Sequence, residues 1–415
     1  MTSGTEQPPP PGGPRDRVGA APGLGQQGFP PGIDLANWQT APNQHWTFQN
    51  VAGFLPTARI FRGAGPVADL PAAPSPLDAV VVPLPALGGP RTVGQIMAAT
   101  ETDGWMVVHR GLTVTEQYFG TMTADTSHLL MSVSKTLVAA VVGALSDAGT
   151  LDVDTAVTAY VPALAGTGYA GATVRHLLDM RSGIAFSEDY LDPQAEVRLL
   201  EEAIGWAPRR NPAGPATMYD FLLTLQQKSA HGGPFNYRSC ETDVLGWVCE
   251  AAAGTPMPVL LSELVWSRIG AQADATIGVD PVGTGMFDGG INAGLRDLAR
   301  FGSLFLRDGV SLTGQPVVSP AWIADTLAGG PDSRAAFAAS PDAAVMPGGM
   351  YRNQCWFPYP GSNVMLCLGI HGQMIYINQA AQLVAVKLSS WPYPQDAYRL
   401  FSTIQAFDAI AAALG

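Results

Sequence analysis

Hydrophobic residues are arranged differently at the two ends of the chain and in its middle. Residues 104–119, GWMVVHRGLTVTEQYF, carry β-branched and aromatic residues on both sides of a glycine, which predicts two short strands joined by a turn. Residues 349–390 contain VMLCLGIHG, MIYI and QLVAVKLSS, and these segments predict further strands. Residues 396–414 are largely apolar and long enough to predict a C-terminal helix.

The middle of the chain favours helices. The strongest pattern covers residues 132–148, where the nine residues after Thr136, LVAAVVGAL, carry no charge, so this helix is expected to be buried on all sides. Shorter helical patterns follow at 173–180, 217–228, 241–253, 256–268 and 294–307. Early and late strands with helices between them predict a sheet built from both chain ends, with a mostly helical domain inserted.

These patterns divide the chain into segments. Residues 1–32 are rich in Pro, Gly and Gln and are expected to form a disordered tail, because they offer too little apolar surface to fold. Residues 33–155 and 280–415 are expected to form one discontinuous α/β sheet domain, and residues 156–279 a mostly helical domain. The active site is expected between these two domains.

Composition excludes several classes of function. The chain has 415 residues, 47% of them hydrophobic, which is enough for a large buried core. Its net charge is -12 and it has no run of Lys or Arg, so nucleic acids are not expected as partners. It has no apolar run of membrane-spanning length and no signal-like N-terminus, so a cytoplasmic protein without a membrane partner is expected.

Cysteine and histidine usage adds two expectations. The four cysteines form no C-x-x-C pair and are expected to be reduced and partly buried. The six histidines show no spacing typical of metal ligands, so neither a metal nor another cofactor is expected.

Ser132 and Lys135 are the first candidates for chemistry. Ser132 lies at the predicted start of the buried helix, and Lys135 follows at i+3, where its amine can reach the serine hydroxyl. A serine needs an adjacent base to become a nucleophile, and a lysine can be that base if burial lowers its pKa. The alternative is a helix-capping serine and a lysine that reaches solvent. Because a lone lysine in so apolar a helix is costly unless it is partnered, the sequence favours catalysis.

A tyrosine is expected to complete this group, and three segments fit the pattern Tyr-x-Asn/Ser. They are Tyr237-Arg-Ser239, Tyr351-Arg-Asn353 and Tyr376-Ile-Asn378. Tyr237 is preferred because it lies in a turn just before a predicted helix, whereas the other two lie in strand-like surroundings.

A late strand that ends in glycine is the third element expected beside an S-x-x-K serine. The candidate is CLGIHG, residues 367–372, whose backbone N–H groups can stabilise an oxyanion without a particular side chain. The usual motif, Lys-Thr-Gly, supplies a cation for a substrate carboxylate, and this segment has no lysine.

With these motifs the chain resembles the 6-aminohexanoate-dimer (nylon-oligomer) hydrolases, within the class C β-lactamase and carboxylesterase group of penicillin-recognising serine hydrolases. The similar stretches run in order from about residue 35 to the C-terminal helix and are NWQTAPNQHWTF, HLLMSVSKTLVAAVVGALSDAG, VTAYVPALAG, EDYLDPQAEV, FNYRSCETDVLGWV, DGGINAGLRDLARFG, GIHGQ and VAVKLSSWP. The resemblance implies a serine β-lactamase-like α/β (α+β) fold, with an antiparallel sheet flanked by helices.

The resemblance also implies catalytic roles. Ser132 is the acylated nucleophile, and Lys135 and Tyr237 share proton transfer as general base and then general acid. The backbone N–H groups of Ser132 and Ile370 form the oxyanion hole. Tyr190, in EDYLDP, lies on a mobile loop that closes over the substrate.

Four further residues are implied on the substrate side. Trp356 packs along the aliphatic chain of the substrate, and Glu201 occupies a position for an acidic group that receives a free ammonium. Asp288, in FDGG, stands where the family usually has Asn, so the resemblance implies the chemistry but does not fix the substrate preference. His371, in GIHGQ, is the fourth.

The leading interpretation is a hydrolase of linear amides, such as 6-aminohexanoate oligomers, that acts through an acyl-enzyme on Ser132. A carboxylesterase for short acyl esters is an alternative. A β-lactamase or D-amino-acid peptidase is disfavoured by the missing Lys-Thr-Gly and export signal, and a non-catalytic ligand-binding module by the joint presence of Ser132, Lys135 and Tyr237. The expected partner is a small-molecule amide or ester, and a homodimer stays open.

Overall fold

The computed structural model describes residues 28–85 and 88–415, so most of the predicted tail lies outside the described residues. The strands are β1 Thr57–Ile60, β2 Val81–Val82, β3 Arg91–Thr92, β4 Thr102–His109, β5 Leu112–Tyr118, β6 Ser127–Leu129, β7 Ala275–Gly278, β8 Ile291–Gly294, β9 Met350–Arg352, β10 Cys355–Phe357, β11 Val364–Gly369, β12 Gln373–Asn378 and β13 Leu383–Ser389. The α-helices are α1 Gln44–Thr47, α2 Val51–Phe54, α3 Val93–Ala99, α4 Ser134–Asp147, α5 Val157–Tyr160, α6 Val174–Leu178, α7 Glu196–Ala203, α8 Met218–Leu222, α9 Ser239–Ala253, α10 Met257–Leu260, α11 Leu295–Gly302, α12 Pro320–Ala328, α13 Ser333–Ala338 and α14 Ala397–Leu414.

The main sheet is antiparallel and has the strand order β5-β4-β13-β12-β11-β10-β9. The hairpin β4-β5 comes from the early part of the chain, and the other strands of this sheet come from the late part. The prediction of an antiparallel sheet built from both chain ends is therefore confirmed.

The central strand β13 is buried on both of its faces. Leu383 and Ala385 pack in the same cluster as Phe407 of α14, whereas Val384 and Val386 pack in the larger core on the other side. Successive side chains of a strand point to opposite faces, so apolar residues follow one another in a strand that is covered on both faces, as they do from Leu383 to Val386. This explains why the sequence of β13 shows no alternation of polar and apolar residues.

The helical middle agrees with the sequence patterns in position but not always in length. The predicted helix 217–228 is wrong in its second half, because α8 ends at Leu222. The amide of Lys228 donates instead to the carbonyl of Gly183, so hydrogen bonds to a distant segment replace the last turns of that helix. The predicted helix 256–268 is observed as α10 followed by a π-helical turn, Leu261–Trp266.

A second antiparallel sheet has the order β1-β7-β8-β6. Its strand β7 lies near the end of the segment expected to be mostly helical, and it pairs with β1 from the start of the globular part. The division of the chain into domains stays a prediction.

The cysteines and the longest apolar helices bear on two of the sequence predictions. All four cysteines are free, as predicted, and they are fully buried and not only partly so. Within the described ranges, no single helix has the length and apolar content needed to cross a membrane, although α9 and the segment Met257–Trp266, bent by 81°, pass that test as a pair.

The helix α4 connects the core to the candidate site. Its residues from Ser134 to Leu145 are all buried, as its uncharged sequence predicted. A single turn, Met131–Val133, precedes it and contains Ser132. This turn contacts the end of β11, and α4 packs against α9, so three motif-bearing segments meet at the start of α4.

Candidate active site

Ser132 and Lys135 are in direct contact. The Nζ atom of Lys135 donates to the Oγ atom of Ser132 at 2.9 Å, to the Oγ atom of Ser239 at 3.1 Å and to the carbonyl of Asp288 at 2.8 Å. Lys135 is only 1% exposed, so these partners and not water satisfy its ammonium. The i+3 spacing thus brings a buried amine to the serine oxygen, as the sequence predicted.

Backbone strain accompanies the position of Ser132. The preceding residue, Met131, has a φ of +47°, in the left-handed region that side chains other than glycine seldom adopt. Strained residues of this kind persist where the surrounding structure fixes them, and they are common beside catalytic groups. Here the strain lies at the first residue of the turn that leads into α4.

The end of β11 comes close to the same turn because Gly369 has no side chain. A Cβ atom at this position would lie 2.5 Å from the carbonyl oxygen of Leu130, which is closer than real Cβ atoms approach. Ile370 follows Gly369 and lines the same small cavity as Ser132. The structure therefore brings together both residues whose N–H groups were predicted to form an oxyanion hole.

Tyr237 lies beside Lys135. Its ring centre is 5.2 Å from the Nζ atom of Lys135, and its hydroxyl interacts with Ser132 and Lys135. Of the alternative tyrosines, Tyr376 donates its hydroxyl to Asp408 at 2.7 Å, away from this group. Tyr237, which was preferred because it precedes a helix, is therefore the tyrosine that lies beside Lys135.

Buried charged residues hold the turn that carries Tyr237. Arg238 donates to Glu241 at 3.0 Å, and Ser182 donates to the same carboxylate oxygen at 2.5 Å. Glu241 lies in the first turn of α9, so its hydrogen bond with Ser182 fixes the start of that helix to the segment that follows α6. Burial raises the pKa of Glu241 to about 7.

The electrostatics of the site differ from the expectation for Lys135. Burial alone would lower the pKa of its ammonium, but negative charges outweigh burial and raise this pKa above its usual range; Tyr237 contributes most when it is ionised, followed by Asp288 and Glu188. Burial also raises the pKa of Tyr237, against the attraction of the Lys135 ammonium. At neutral pH the resting site therefore holds a charged lysine and a neutral tyrosine.

A second acidic residue lies behind Asp288. The backbone amide of Asp288 donates to the carboxylate of Asp243 at 3.1 Å. Burial and the charge of the neighbouring Asp288 raise the pKa of Asp243 well above its usual range. Asp243 is therefore expected to carry a proton, since a buried carboxyl group beside a like charge does not ionise readily.

Tyr190 covers the site from the segment before α7. Its hydroxyl donates to Glu188 at 2.6 Å, and the other oxygen of Glu188 accepts a hydrogen bond from the amide of Ser239. Tyr190 and Ser132 line the same cavity of about 20 Å³. The EDYLDP segment therefore lies over the serine in this structure.

The predicted substrate-side residues occupy three places. Asp288 and Glu201 line the small cavity with Ser132. Trp356 stacks on Tyr237, with ring centres 5.4 Å apart and planes inclined by 28°, and it does not line that cavity. His371 lines an adjoining groove with Glu201.

His371 is neutral at ordinary pH. Burial lowers the pKa of its imidazole to about 4, although a hydrogen bond between its Nδ1 atom and the carbonyl of Trp391, at 2.7 Å, opposes this effect. Its backbone has a φ of +59°. This contact fixes the turn after Ile370.

Sequence reasoning missed four residues of this region: Glu188, Arg198, Ser239 and Asp243. Ser239 was part of the quoted Tyr-x-Ser pattern, and Glu188 stands two positions before Tyr190 in the EDYLDP segment, so both had a local signal. Asp243 is one turn into α9 and had none. Arg198 contacts both Tyr190 and Glu201.

Comparisons with known proteins show the family to which this chain belongs. The β-lactamase family model matches residues 90–407. The 6-aminohexanoate-dimer hydrolase of Paenarthrobacter ureafaciens is 40% identical over 364 residues, which are 87% of this chain and 88% of that protein. A solved Bacillus anthracis structure, of a proposed 6-aminohexanoate-dimer hydrolase, has a TM-score of 0.85 and 26% identity, covering 93% of this chain and 98% of its own.

A more distant structure shows how widely the fold is shared. A family VIII carboxylesterase aligns with a TM-score of 0.57 and 16% identity, covering 76% of this chain and 96% of its own, which shows a common fold. The predicted fold class, the predicted relationship and the prediction of an enzyme are confirmed. The chain belongs to the β-lactamase family of serine hydrolases, and within it is related over most of its length to a 6-aminohexanoate-dimer hydrolase.

Proposed function

We propose that this protein hydrolyses linear amides, including short 6-aminohexanoate oligomers, through an acyl-enzyme on Ser132. The observation that carries the proposal is the buried contact of 2.9 Å between the Lys135 ammonium and the Ser132 hydroxyl, with Tyr237 beside it. The name of the Paenarthrobacter ureafaciens relative supports the substrate class.

The proton of Ser132 passes to the pair formed by Tyr237 and Lys135. Because the pKa of Lys135 is raised, the group that accepts the proton is the Tyr237 oxygen, in the fraction of enzyme where this tyrosine is ionised. The neighbouring ammonium stabilises that phenolate. Lys135 thus acts on Ser132 through the charge that it places beside Tyr237.

Amide cleavage then follows in two steps, acylation of Ser132 and hydrolysis of the acyl-enzyme. The Oγ atom of Ser132 bonds to the carbonyl carbon, and the backbone N–H groups of Ser132 and Ile370 stabilise the oxyanion. The C–N bond breaks as Tyr237 returns the proton to the leaving nitrogen, and the amine departs. Water attacks the ester in the second step, gives its proton to Tyr237 and releases the acid, and the proton returns to Ser132.

The substrate-side roles belong to the same proposal. Glu201 and Asp288 border the cavity beside Ser132 and meet the chain of the substrate, while His371 borders the groove where this chain continues. Trp356 supports the ring of Tyr237 from one side. A cytoplasmic location and a homodimer stay predictions.

A panel of three substrates tests the proposed function. The 6-aminohexanoate dimer, p-nitrophenyl acetate and a chromogenic cephalosporin are incubated with the same enzyme preparation, and the released amine or chromophore is measured. We expect turnover of the dimer and of the ester. Turnover of the ester alone would favour a carboxylesterase, and turnover of none would favour a non-catalytic binding module.

Tyr190 is expected to separate amide from ester hydrolysis. An amine is a much worse leaving group than p-nitrophenolate, so its nitrogen needs a hydrogen bond as the C–N bond breaks. Replacing Tyr190 by Phe keeps the ring and removes the hydroxyl, which donates to Glu188 at 2.6 Å above the serine. We expect Tyr190→Phe to lower amide turnover by roughly tenfold, or about 1.4 kcal/mol, and ester turnover by only a few-fold.

A matched control is Tyr359→Phe, since Tyr359 is 39% exposed, donates its hydroxyl to Asp408 and lines neither the cavity nor the groove. Both rates are measured on one preparation of each variant. Parallel losses of the two activities in Tyr190→Phe would mean that the tyrosine only packs the segment over the site.

Poor turnover of β-lactams is also expected. The strand β11 ends in Cys367-Leu-Gly369 and carries no lysine for a β-lactam carboxylate. The ammonium of Lys387, in the neighbouring part of the sheet, is buried and donates to the carbonyl of Thr100 at 3.0 Å. Hydrolysis of a chromogenic cephalosporin as fast as that of p-nitrophenyl acetate would contradict this prediction.

A further inference from the structure

Arg198 forms an ion pair with Glu201, the acidic residue that the resemblance assigns to a substrate ammonium. Its Nη1 atom lies 2.7 Å from the Oε2 atom of Glu201, one turn along α7. The Oε1 atom of Glu201 accepts a hydrogen bond from Gln39 at 3.1 Å. Both oxygens of this carboxylate therefore have partners from the chain itself.

The remaining nitrogens of Arg198 hold the segment above the site. Its Nε and Nη2 atoms donate to the carbonyl of Tyr190 at 3.0 and 2.6 Å, and its guanidinium lies 5.5 Å from the ring of Tyr190. One side chain thus connects Tyr190 to Glu201. These contacts fix the guanidinium in place and lower the entropy cost of its ion pair with Glu201.

Glu201 lies where the small cavity meets the larger groove. It lines the cavity of about 20 Å³ that contains Ser132, and also the adjoining groove of about 720 Å³. The substrate chain attached to Ser132 therefore passes this carboxylate on its way into the groove.

The charges along this groove are balanced. Among the described residues that line it, the charged ones are two arginines and two glutamates, which form the pairs Arg198–Glu201 and Arg210–Glu202. Apolar side chains lie at its rim, among them Leu191, which is 79% exposed. A groove of this composition offers an entering ammonium no net attraction.

We propose that Arg198 is a specificity-determining residue: by pairing with Glu201 it removes the preference for a free ammonium, so that the site accepts acyl chains with a charged or an uncharged end about equally. An entering ammonium has to replace the Nη1 atom of Arg198, and the exchange of one cation for another gains little free energy. The inference rests on the proposed acyl-enzyme chemistry of Ser132.

The test compares two esters of the same chain length, p-nitrophenyl 6-aminohexanoate and p-nitrophenyl heptanoate, in which a methyl group replaces the ammonium. The ratio of their kcat/KM values, charged over uncharged, isolates the effect of the charge, because a general distortion of the site changes both rates together. We expect a ratio near or below one for the wild-type protein. We expect R198Q to raise it by roughly tenfold, mainly through KM, as about 1.4 kcal/mol of recovered attraction would.

A double variant identifies the carboxylate responsible. In R198Q/E201Q the ratio should return to within about twofold of the wild-type value, because no free carboxylate is left to attract the ammonium. A ratio that R198Q leaves unchanged, or that stays raised in the double variant, overturns the inference. So does a wild-type ratio of tenfold or more in favour of the charged ester, a measurement that needs no variant.

Esters separate this inference from the proposed amide activity. An ester reports on acylation of Ser132 even in an enzyme that cleaves no amide. Ester turnover with an unchanged ratio overturns the role of Arg198 alone, whereas the absence of any ester turnover overturns both the role of Arg198 and the chemistry of Ser132.

Discussion

Replacing Ser132 by alanine is expected to abolish the hydrolysis of both amides and esters while leaving the fold intact. The side chain is small and lies in a short turn before α4, so its loss removes one hydrogen bond from Lys135 and little packing. A nucleophile and its proton acceptor act as a unit, and removing one member commonly costs on the order of 10⁴-fold or more in kcat. Rates on p-nitrophenyl acetate and circular dichroism of the same preparation measure the two effects.

The matched control is Ser239→Ala. Ser239 lies almost as close to the Lys135 ammonium, at 3.1 Å, as Ser132 does at 2.9 Å, so proximity to the lysine alone does not distinguish the two serines. Ser239 begins α9, whereas Ser132 shares its cavity with Ile370. Ester turnover should therefore persist in Ser239→Ala. Near wild-type turnover in Ser132→Ala would refute the nucleophile assignment.

Lys135→Ala and Tyr237→Phe are each expected to lower kcat by on the order of 10²-fold or more, with a smaller effect on KM. Tyr237→Phe removes the oxygen that accepts and returns the proton. Lys135→Ala removes the cation that stabilises the phenolate, and it also leaves the nearby buried carboxylate of Asp288, 3.5 Å from the lysine Nζ atom, without its partner. A lower Tm is therefore expected for Lys135→Ala but not for Tyr237→Phe.

Tyr351→Phe and Tyr376→Phe provide matched controls for Tyr237. Tyr351 is buried with its ring 6.2 Å from that of Tyr237, and Tyr376 lies on the central part of the main sheet with its hydroxyl on Asp408. Both variants should keep kcat within a few-fold of the wild type. A neutral Tyr237→Phe together with an inactive Tyr351→Phe would move the proton-transfer role to the second tyrosine.

Local spacing was enough to predict the centre of the site. Ser132 and Lys135 are neighbours because residues three apart lie on one face of a helix, and this relation needs no tertiary information. The sheet was predictable for a similar reason, since β4, β5 and the late strands all show apolar segments bounded by turn residues. The length of α8 was not, because the carbonyl of Gly183 that accepts from Lys228 belongs to a distant segment.

The electrostatics of the site could not be predicted from sequence. The lysine lies in an apolar helix, which suggested a lowered pKa, but its pKa depends on Tyr237, Asp288 and Glu188, which distant segments bring to it. Asp243 likewise reaches Asp288 only in the folded chain. Arg198 and Glu201 are three residues apart, so their pairing on one helix face could be inferred from the sequence. The groove that they line could not, because distant segments of the chain form it.

Catalysis is expected to pass through an acyl group on Ser132. The most direct measurement is to mix the enzyme with p-nitrophenyl acetate, quench it in acid during the initial burst of p-nitrophenol, digest it and locate the added acetyl group by mass spectrometry. We expect a burst stoichiometric with enzyme and an acetyl group on the peptide that contains Ser132. A burst without acetylation of this serine, or an acetyl group on Ser239 in its place, would contradict it.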